Sequence, residues 1–212
     1  TCLNINGRET GPGYPVYIVA EMSANHHHDF DQAVKIIKAA KKAGADAIKL
    51  QTYSPESMTL DVHSEFFKIE GTIWEGKNLY NLYREAYTPW EWQPKLKKIA
   101  EELQIDFFST PFDPAAVDYL EKLDLPVYKI ASFELVDLPL IERIAKTGKP
   151  VIMSTGMASL NEIDEAVKTY LKNGGNQIAL LKCTSAYPTP PQEKNLRTIP
   201  PLAEIFNFPV GI

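Results

Sequence analysis

Residues 127–173 read VYKIASFELVDLPLIERIAKTGKPVIMSTGMASLNEIDEAVKTYLKN. A short β-branched and apolar run at 127–130 gives way to a polar turn and then to an amphipathic stretch at 138–146. The same sequence of events repeats at once, with an apolar run at 151–153 and an amphipathic stretch at 160–173. Short apolar runs alternating with helix-length amphipathic segments are the mark of βα units, whose strands lie parallel because each helix carries the chain back across the sheet.

Outward from this segment the pattern recurs in both directions. Toward the N-terminus, 16–20 precedes 31–43, 47–50 precedes 90–103, and 106–108 precedes 114–123; toward the C-terminus, 178–181 precedes a weaker helix at 196–206. A seventh strand begins at 209–212. Six consecutive units predict an α/β fold with a parallel sheet, and a (β/α)8 TIM barrel is favoured over an open doubly wound sheet because no Gly-rich dinucleotide fingerprint follows the first strand. The chain stops inside its seventh unit, so residues 1–212 are expected to be the larger part of a barrel that needs about one and a half further units. Residues 3–14 carry Asn6-Gly7, a two-residue hairpin signal, then Gly11-Pro12-Gly13. The connection at 51–89 far exceeds an ordinary βα loop and is expected on the catalytic face. Within it Leu79, Leu82 and Tyr83 suggest a short helix, and Thr88-Pro89 reads as an N-cap followed by proline at the first helical position.

With 44% hydrophobic residues the 212-residue chain can bury one sizeable core. A net charge of −5 without a basic block argues against nucleic acid as the partner, while a pI near 5.4 still allows a few placed cations to hold a small anion. Cys2 and Cys183 match no metal spacing and are too few for a disulfide framework, which suits a reducing compartment. The first ten residues lack the layout of a signal peptide, and no apolar run approaches the roughly 18 residues of a membrane helix. A soluble cytoplasmic protein is expected.

Active sites of barrels lie at the C-terminal ends of the strands. The polar residues there are Glu21, Lys49, Ser109-Thr110, Lys129 with Ser132 and Glu134 just beyond, Ser154-Thr155-Gly156, and Thr184-Ser185 with Tyr187. Lys49 and Lys129 stand out, since an ammonium turned into a desolvated interior needs a partner. An anionic, phosphate-bearing substrate would supply one, with Thr110, Ser132 and Ser154 as neutral donors; the alternatives are snorkelling to solvent or pairing with Glu21 or Glu134. Those two glutamates are candidates for acid and base work, or for salt bridges alone. His26-His27-His28 reads as a solvated loop rather than a metal cluster, because adjacent residues rarely point together. The aromatics Trp74, Tyr80, Tyr83, Trp90 and Trp92 read as loop core, and Tyr187-Pro188-Thr189-Pro190-Pro191 as a rigid segment that either presents Tyr187 to a sugar or ends the sixth unit.

These residues fall in blocks that resemble the sialic-acid synthase family of phosphoenolpyruvate-condensing barrels. The blocks are Ile18-Val19-Ala20-Glu21 with Asn25-His26, Ala43 through Gln51 (AGADAIKLQ), Ser109-Thr110-Pro111-Phe112, Tyr128 through Glu134 (YKIASFE), Gly148-Lys149-Pro150 with Ser154-Thr155-Gly156-Met157, and Cys183 through Pro190 (CTSAYPTP). The segments Trp74 through Tyr80 and Thr88 through Trp92 resemble its pseudaminic acid branch. The resemblance implies a barrel followed by a small antifreeze-like domain, a homodimer, and a divalent metal, Mn²⁺ or Mg²⁺, whose histidine ligands would lie beyond residue 212. It implies that phosphoenolpyruvate is held at Lys49, Thr110, Lys129, Ser132 and Ser154, with Glu21 and Tyr187 on the side of an acetamido sugar, a 6-deoxy diacetamido hexose in the pseudaminic branch. Lys49 and Lys129 would stabilise charge while Glu21 or Glu134 moves protons. Ser185 stands where the family commonly has asparagine, and His27-His28 replaces its usual Asn-Gly, which puts the sugar contacts in question. A Schiff-base aldolase using Lys49 or Lys129, and a non-catalytic sugar-binding barrel, remain as rival readings.

Overall fold

A computed structural model of the chain describes residues 2–70, 75–186 and 188–212. The chain packs as two compact units, one formed by Ile18–Ala116 and the other by Thr1–Tyr17 with Val117–Ile212. It opens with the expected hairpin, β1 (Leu3–Ile5) paired antiparallel with β2 (Arg8–Thr10). Asn6 and Gly7 both have positive φ, 51° and 83°, as a two-residue primed turn demands. The Asn4 N–H donates to Gln177 Oε1 at 2.7 Å, so the hairpin is tied to the body of its own unit.

In the unit Ile18–Ala116, three parallel strands, β3 (Val19–Glu21), β4 (Ala47–Thr52) and β5 (Asp106–Pro111), lie in chain order. The first strand is shorter than expected: Val16 is 79% and Ile18 54% exposed, and the Ile18 N–H is taken by the Asp46 carboxylate at 2.7 Å instead of a strand partner. Helix α1 (Phe30–Lys42) is capped by Asp29, carries Asp31 in its first turn and Lys41 and Lys42 in its last, and buries Ala33, Ile37 and Ala40. Those charges complement the helix dipole, and full burial of Ile37 contributes about 2 to 3 kcal/mol, which an aspartate there would forfeit. The long connection after β4 has structure of its own, α2 (Pro55–Met58), a 3₁₀ turn at Glu65–Phe67 and α3 (Leu79–Ala86) capped by Asn78. Its end departs from expectation. Thr88 is no N-cap; a 3₁₀ turn at Trp90–Trp92 precedes α4 (Gln93–Glu102), and Thr88 is buried with its hydroxyl on His26.

Helix α5 (Pro114–Glu121) spans the boundary between the units. Beyond it the strands β6 (Tyr128–Ile130), β7 (Val151–Ser154), β8 (Ile178–Leu181) and β9 (Val210–Gly211) are parallel neighbours in chain order. They alternate with α6 (Leu138–Ala145), α7 (Leu160–Lys172) and α8 (Ile199–Phe206). A capping box of Ser159 and Glu162 starts α7, satisfying backbone donors that no helical carbonyl can reach. The weak helix expected at 196–206 divides into a 3₁₀ turn, Leu196–Thr198, and α8, whose two prolines sit in its first turn where they cost no hydrogen bond. The element order is that of a (β/α)8 barrel through six βα units and a seventh strand. Among the described residues no helix is long and apolar enough to cross a membrane.

Candidate functional site

In-register parallel partners turn their side chains to the same face of a sheet. Glu21 pairs with Lys49, Lys49 with Phe108, and Gln51 with Thr110, so Glu21, Lys49, Gln51 and Thr110 share one face at the C-terminal ends of β3, β4 and β5. Lys49 is only 6% exposed and does not snorkel. Its Nζ lies 2.8 Å from Glu21 Oε2 and donates to Thr110 Oγ1 at 3.1 Å. Pairing with Glu21 is therefore realised, and the glutamate, whose side chain is 53% exposed, remains open to solvent. Alternation sends Ser109 to the opposite face, where its Oγ meets Thr52 Oγ1 at 2.7 Å and Thr52 donates to Gln93 Oε1. The Ser109-Thr110 pair is split between site and scaffold.

In the other unit Lys129, on β6, is again 6% exposed. Its Nζ donates to Ser154 Oγ at 2.5 Å and to the Ile130 carbonyl at 2.7 Å. Ser154 Oγ also receives the Cys183 thiol at 3.3 Å, so its oxygen accepts twice and its own proton is directed elsewhere. Ser132 Oγ accepts the Gly156 N–H at 3.2 Å and likewise keeps its proton to donate. A buried ammonium beside hydroxyls poised as donors is a receptor for an oxyanion. Glu134 follows β6 in a 3₁₀ turn, with Oε2 buried and without a hydrogen-bond partner. Burial raises its pKa above the usual carboxylate value, against the opposing pull of a backbone hydrogen bond and of Lys129. A carboxyl in that setting holds its proton more readily and can deliver it. Ser185 lies on the exposed segment after β8, and Tyr187, like Trp74, falls outside the described residues.

Two features escaped the sequence reading. Lys182, directly after β8, donates to Thr184 Oγ1 at 2.8 Å and to the Cys183 carbonyl at 3.3 Å; alternation places it on the face opposite Lys129, where it braces the segment that carries Ser185. His26 is not part of a solvated loop. It is fully buried, its Nε2 lies 2.9 Å from Thr88 Oγ1, and its Nδ1 accepts the His28 N–H at 3.1 Å. That acceptor role assigns the ring proton to Nε2, which donates to Thr88. Burial, and then the neighbouring His28 and His27, lower its pKa to about 4. His27 and His28 are exposed and left-handed, at φ 48° and 55°. The His28 ring packs edge-on against Tyr87 at 4.9 Å, and Trp92 meets His26, His28 and Phe30. Trp90 donates to the Tyr53 carbonyl, and Tyr53 packs on Tyr83 and Phe112, so these aromatics form loop core. Among the described residues no three His, Cys, Asp or Glu side chains are grouped to hold a metal ion.

Residues 36–212 match the NeuB family. The chain belongs to the NeuB family. It is 46% identical to the pseudaminic acid synthase of Helicobacter pylori, over 93% of this chain and 58% of that protein. It is 36% identical to the N,N'-diacetyllegionaminic acid synthase of Campylobacter jejuni, over 92% of this chain and 59% of that protein. The crystal structure of N-acetylneuraminic acid synthetase from Leptospira borgpetersenii superposes on the whole chain and on 69% of its own, with a TM-score of 0.87 at 32% identity. This NeuB chain thus spans rather more than half the length of the curated relatives it matches.

Proposed function

We propose that the protein carrying this chain condenses phosphoenolpyruvate with an acetamido sugar and water, giving a nonulosonic acid and phosphate. The observation that carries this reading is the buried Lys129 ammonium on the Ser154 hydroxyl at the ends of β6 and β7, a receptor for an oxyanion; Lys49 with Thr110 is a receptor of the same kind in the other unit. The likeness to pseudaminic acid synthase favours a 6-deoxy diacetamido hexose as the sugar, with N-acetylneuraminic and legionaminic acid synthesis as the nearest alternatives.

In this reading the methylene carbon of phosphoenolpyruvate forms a bond to the aldehyde carbon of the open-chain sugar, whose oxygen takes up a proton. The cation left at the enol carbon is trapped by water, which loses a proton; the hydroxyl of the resulting tetrahedral intermediate then gives up its own proton as the carbon–oxygen bond to phosphate breaks, leaving the ketone, and that proton passes to the departing phosphate. Lys49 and Lys129 stabilise the carboxylate and the departing phosphate, Ser132, Ser154 and Thr110 orient them, and Glu134 or Glu21 carries the protons. Ser185 and Tyr187 are assigned to substrate binding by position alone. The described residues offer no ligand set for the Mn²⁺ or Mg²⁺ that the family resemblance implies. The same reading takes the enzyme to be a cytoplasmic homodimer with neither nucleic acid nor membrane as partner.

The rival aldolase mechanism needs a neutral amine, which the ion pair with Glu21 disfavours at Lys49, and trapping with pyruvate tests Lys129 as well. The deciding experiment measures phosphate release from phosphoenolpyruvate by the full-length protein against a panel of acetamido sugars, beside borohydride trapping with pyruvate. Release with the 6-deoxy diacetamido sugar, faster than with N-acetylmannosamine, and no trapped adduct are expected. No release with any sugar, or a covalent pyruvate adduct, would overturn the proposal.

A further inference from the structure

Gly156 stands two residues beyond β7, and its backbone does not explain why it is glycine. Its φ lies outside the left-handed region, so an L-residue could adopt its conformation. Space is what forbids a side chain. A Cβ added there would come 2.6 Å from Ser185 Oγ, 2.7 Å from Ser132 Oγ and 3.3 Å from Ser132 Cβ. The two hydroxyl oxygens thus lie within two O–H···O lengths of each other, close enough to donate to one oxygen, or to neighbouring oxygens, of a single anion. The Gly156 N–H also donates to Ser132 Oγ, so a methyl group that displaced this serine would break the bond that orients its proton outward.

We infer that Gly156 is a positioning residue whose missing side chain lets the Ser132 and Ser185 hydroxyls, from the loops after β6 and β8, close together on one oxyanion group of phosphoenolpyruvate. The inference rests on the function proposed above. It accounts for three strand-end segments in one physical statement: the loop after β7 is bare so that its neighbours can meet over it. It also gives Ser185 a purpose on the phosphoenolpyruvate side, in place of the sugar contact its position first suggests.

Calorimetric titration of phosphoenolpyruvate into the full-length protein tests this without requiring turnover. Gly156→Ala should weaken binding by about tenfold or more, the loss expected when hydrogen bonds to a charged group are misplaced. Its KM for the sugar should stay within about twofold, because a local steric change acts on the group it touches. Ser185→Ala should weaken phosphoenolpyruvate binding as well, and Gly156→Ala/Ser185→Ala should lose no more than Gly156→Ala alone, because the methyl acts through the two serines it meets and Ser185 is one of them. A folded Gly156→Ala protein that binds phosphoenolpyruvate like wild type, or losses that simply add, overturns the inference. Should Gly156→Ala melt early, the double variant removes the nearest clashing atom; a recovered melt with wild-type affinity would also overturn it. Wild-type protein that fails to bind phosphoenolpyruvate sinks the proposed function itself, whereas wild-type binding and turnover with an indifferent Gly156→Ala sinks only this inference.

Discussion

Acid should destabilise this protein through His26, and replacing that residue should remove the effect. The imidazole is buried and has both nitrogens committed, Nδ1 accepting from the His28 N–H and Nε2 donating to Thr88. Its pKa falls from 6.5 to about 4. The unfolded chain therefore binds a proton first as pH falls, and stability rises with pH wherever the unfolded state holds more protons. The contribution is complete above pH 6.5, declines between 6.5 and about 4, and is flat below that. Lowering a pKa by one is worth about 1.4 kcal/mol, so the whole limb costs about 3 kcal/mol, a large share of the roughly 5 to 15 kcal/mol that holds a domain folded. His26→Gln keeps a donor toward Thr88 but cannot titrate. Urea denaturation of the full-length protein from pH 7.5 to 4, wild type beside variant, isolates the histidine because all the carboxylates are common to both. The variant should start lower at neutral pH by about 1 to 2 kcal/mol, for the lost acceptor and ring contacts, and should close that gap as the pH falls. Parallel curves across the range would refute the buried neutral imidazole.

Three further outcomes follow from the same geometry. Lys49→Ala and Lys129→Ala should each remain folded and lose at least about a hundredfold in turnover, the loss expected when charge stabilisation is removed, and phosphate release at near-normal rate would dismiss that lysine from the chemistry. At the left-handed His28, Gly should be better tolerated than Ala by about 1 kcal/mol, since both delete the ring on Tyr87 but only alanine keeps the backbone penalty; equal urea midpoints would contradict this. Burial raises the pKa of Glu134, so the unfolded chain gives up this proton first and the residue's contribution, full below its unfolded value of about 4.5, is lost as pH rises through the folded value. Glu134→Gln should gain stability on wild type as pH climbs from 4 to 7 while losing turnover, and a difference in melting temperature that does not vary with pH would count against it.

What could be read from the sequence and what could not divide along the range of the interactions involved. The βα units were legible because strand and helix periods are local, and Asn6-Gly7 because a primed turn needs two positive φ angles in succession. Lys49 and Lys129 were legible for a related reason: a cation inside an apolar run contradicts its surroundings, and only a partner resolves the contradiction. Alternation alone parts Ser109 from Thr110, but which of the two shares a face with Lys49 depends on register, a relation between strands far apart in the chain. His26 and Thr88 are 62 positions apart, and each looks ordinary in its own neighbourhood, one in a run of histidines and one before a proline. Gly156 sits in a family block with no physical reason visible in its neighbours along the chain, because its reason is volume: two serines from other loops occupy the place where its side chain would be. Residues of this last kind carry no local signature, since what defines them is the space that distant parts of the chain leave between themselves. The family resemblance points to the block that contains Gly156, while the reason for the glycine lies in the positions of Ser132 and Ser185 around it.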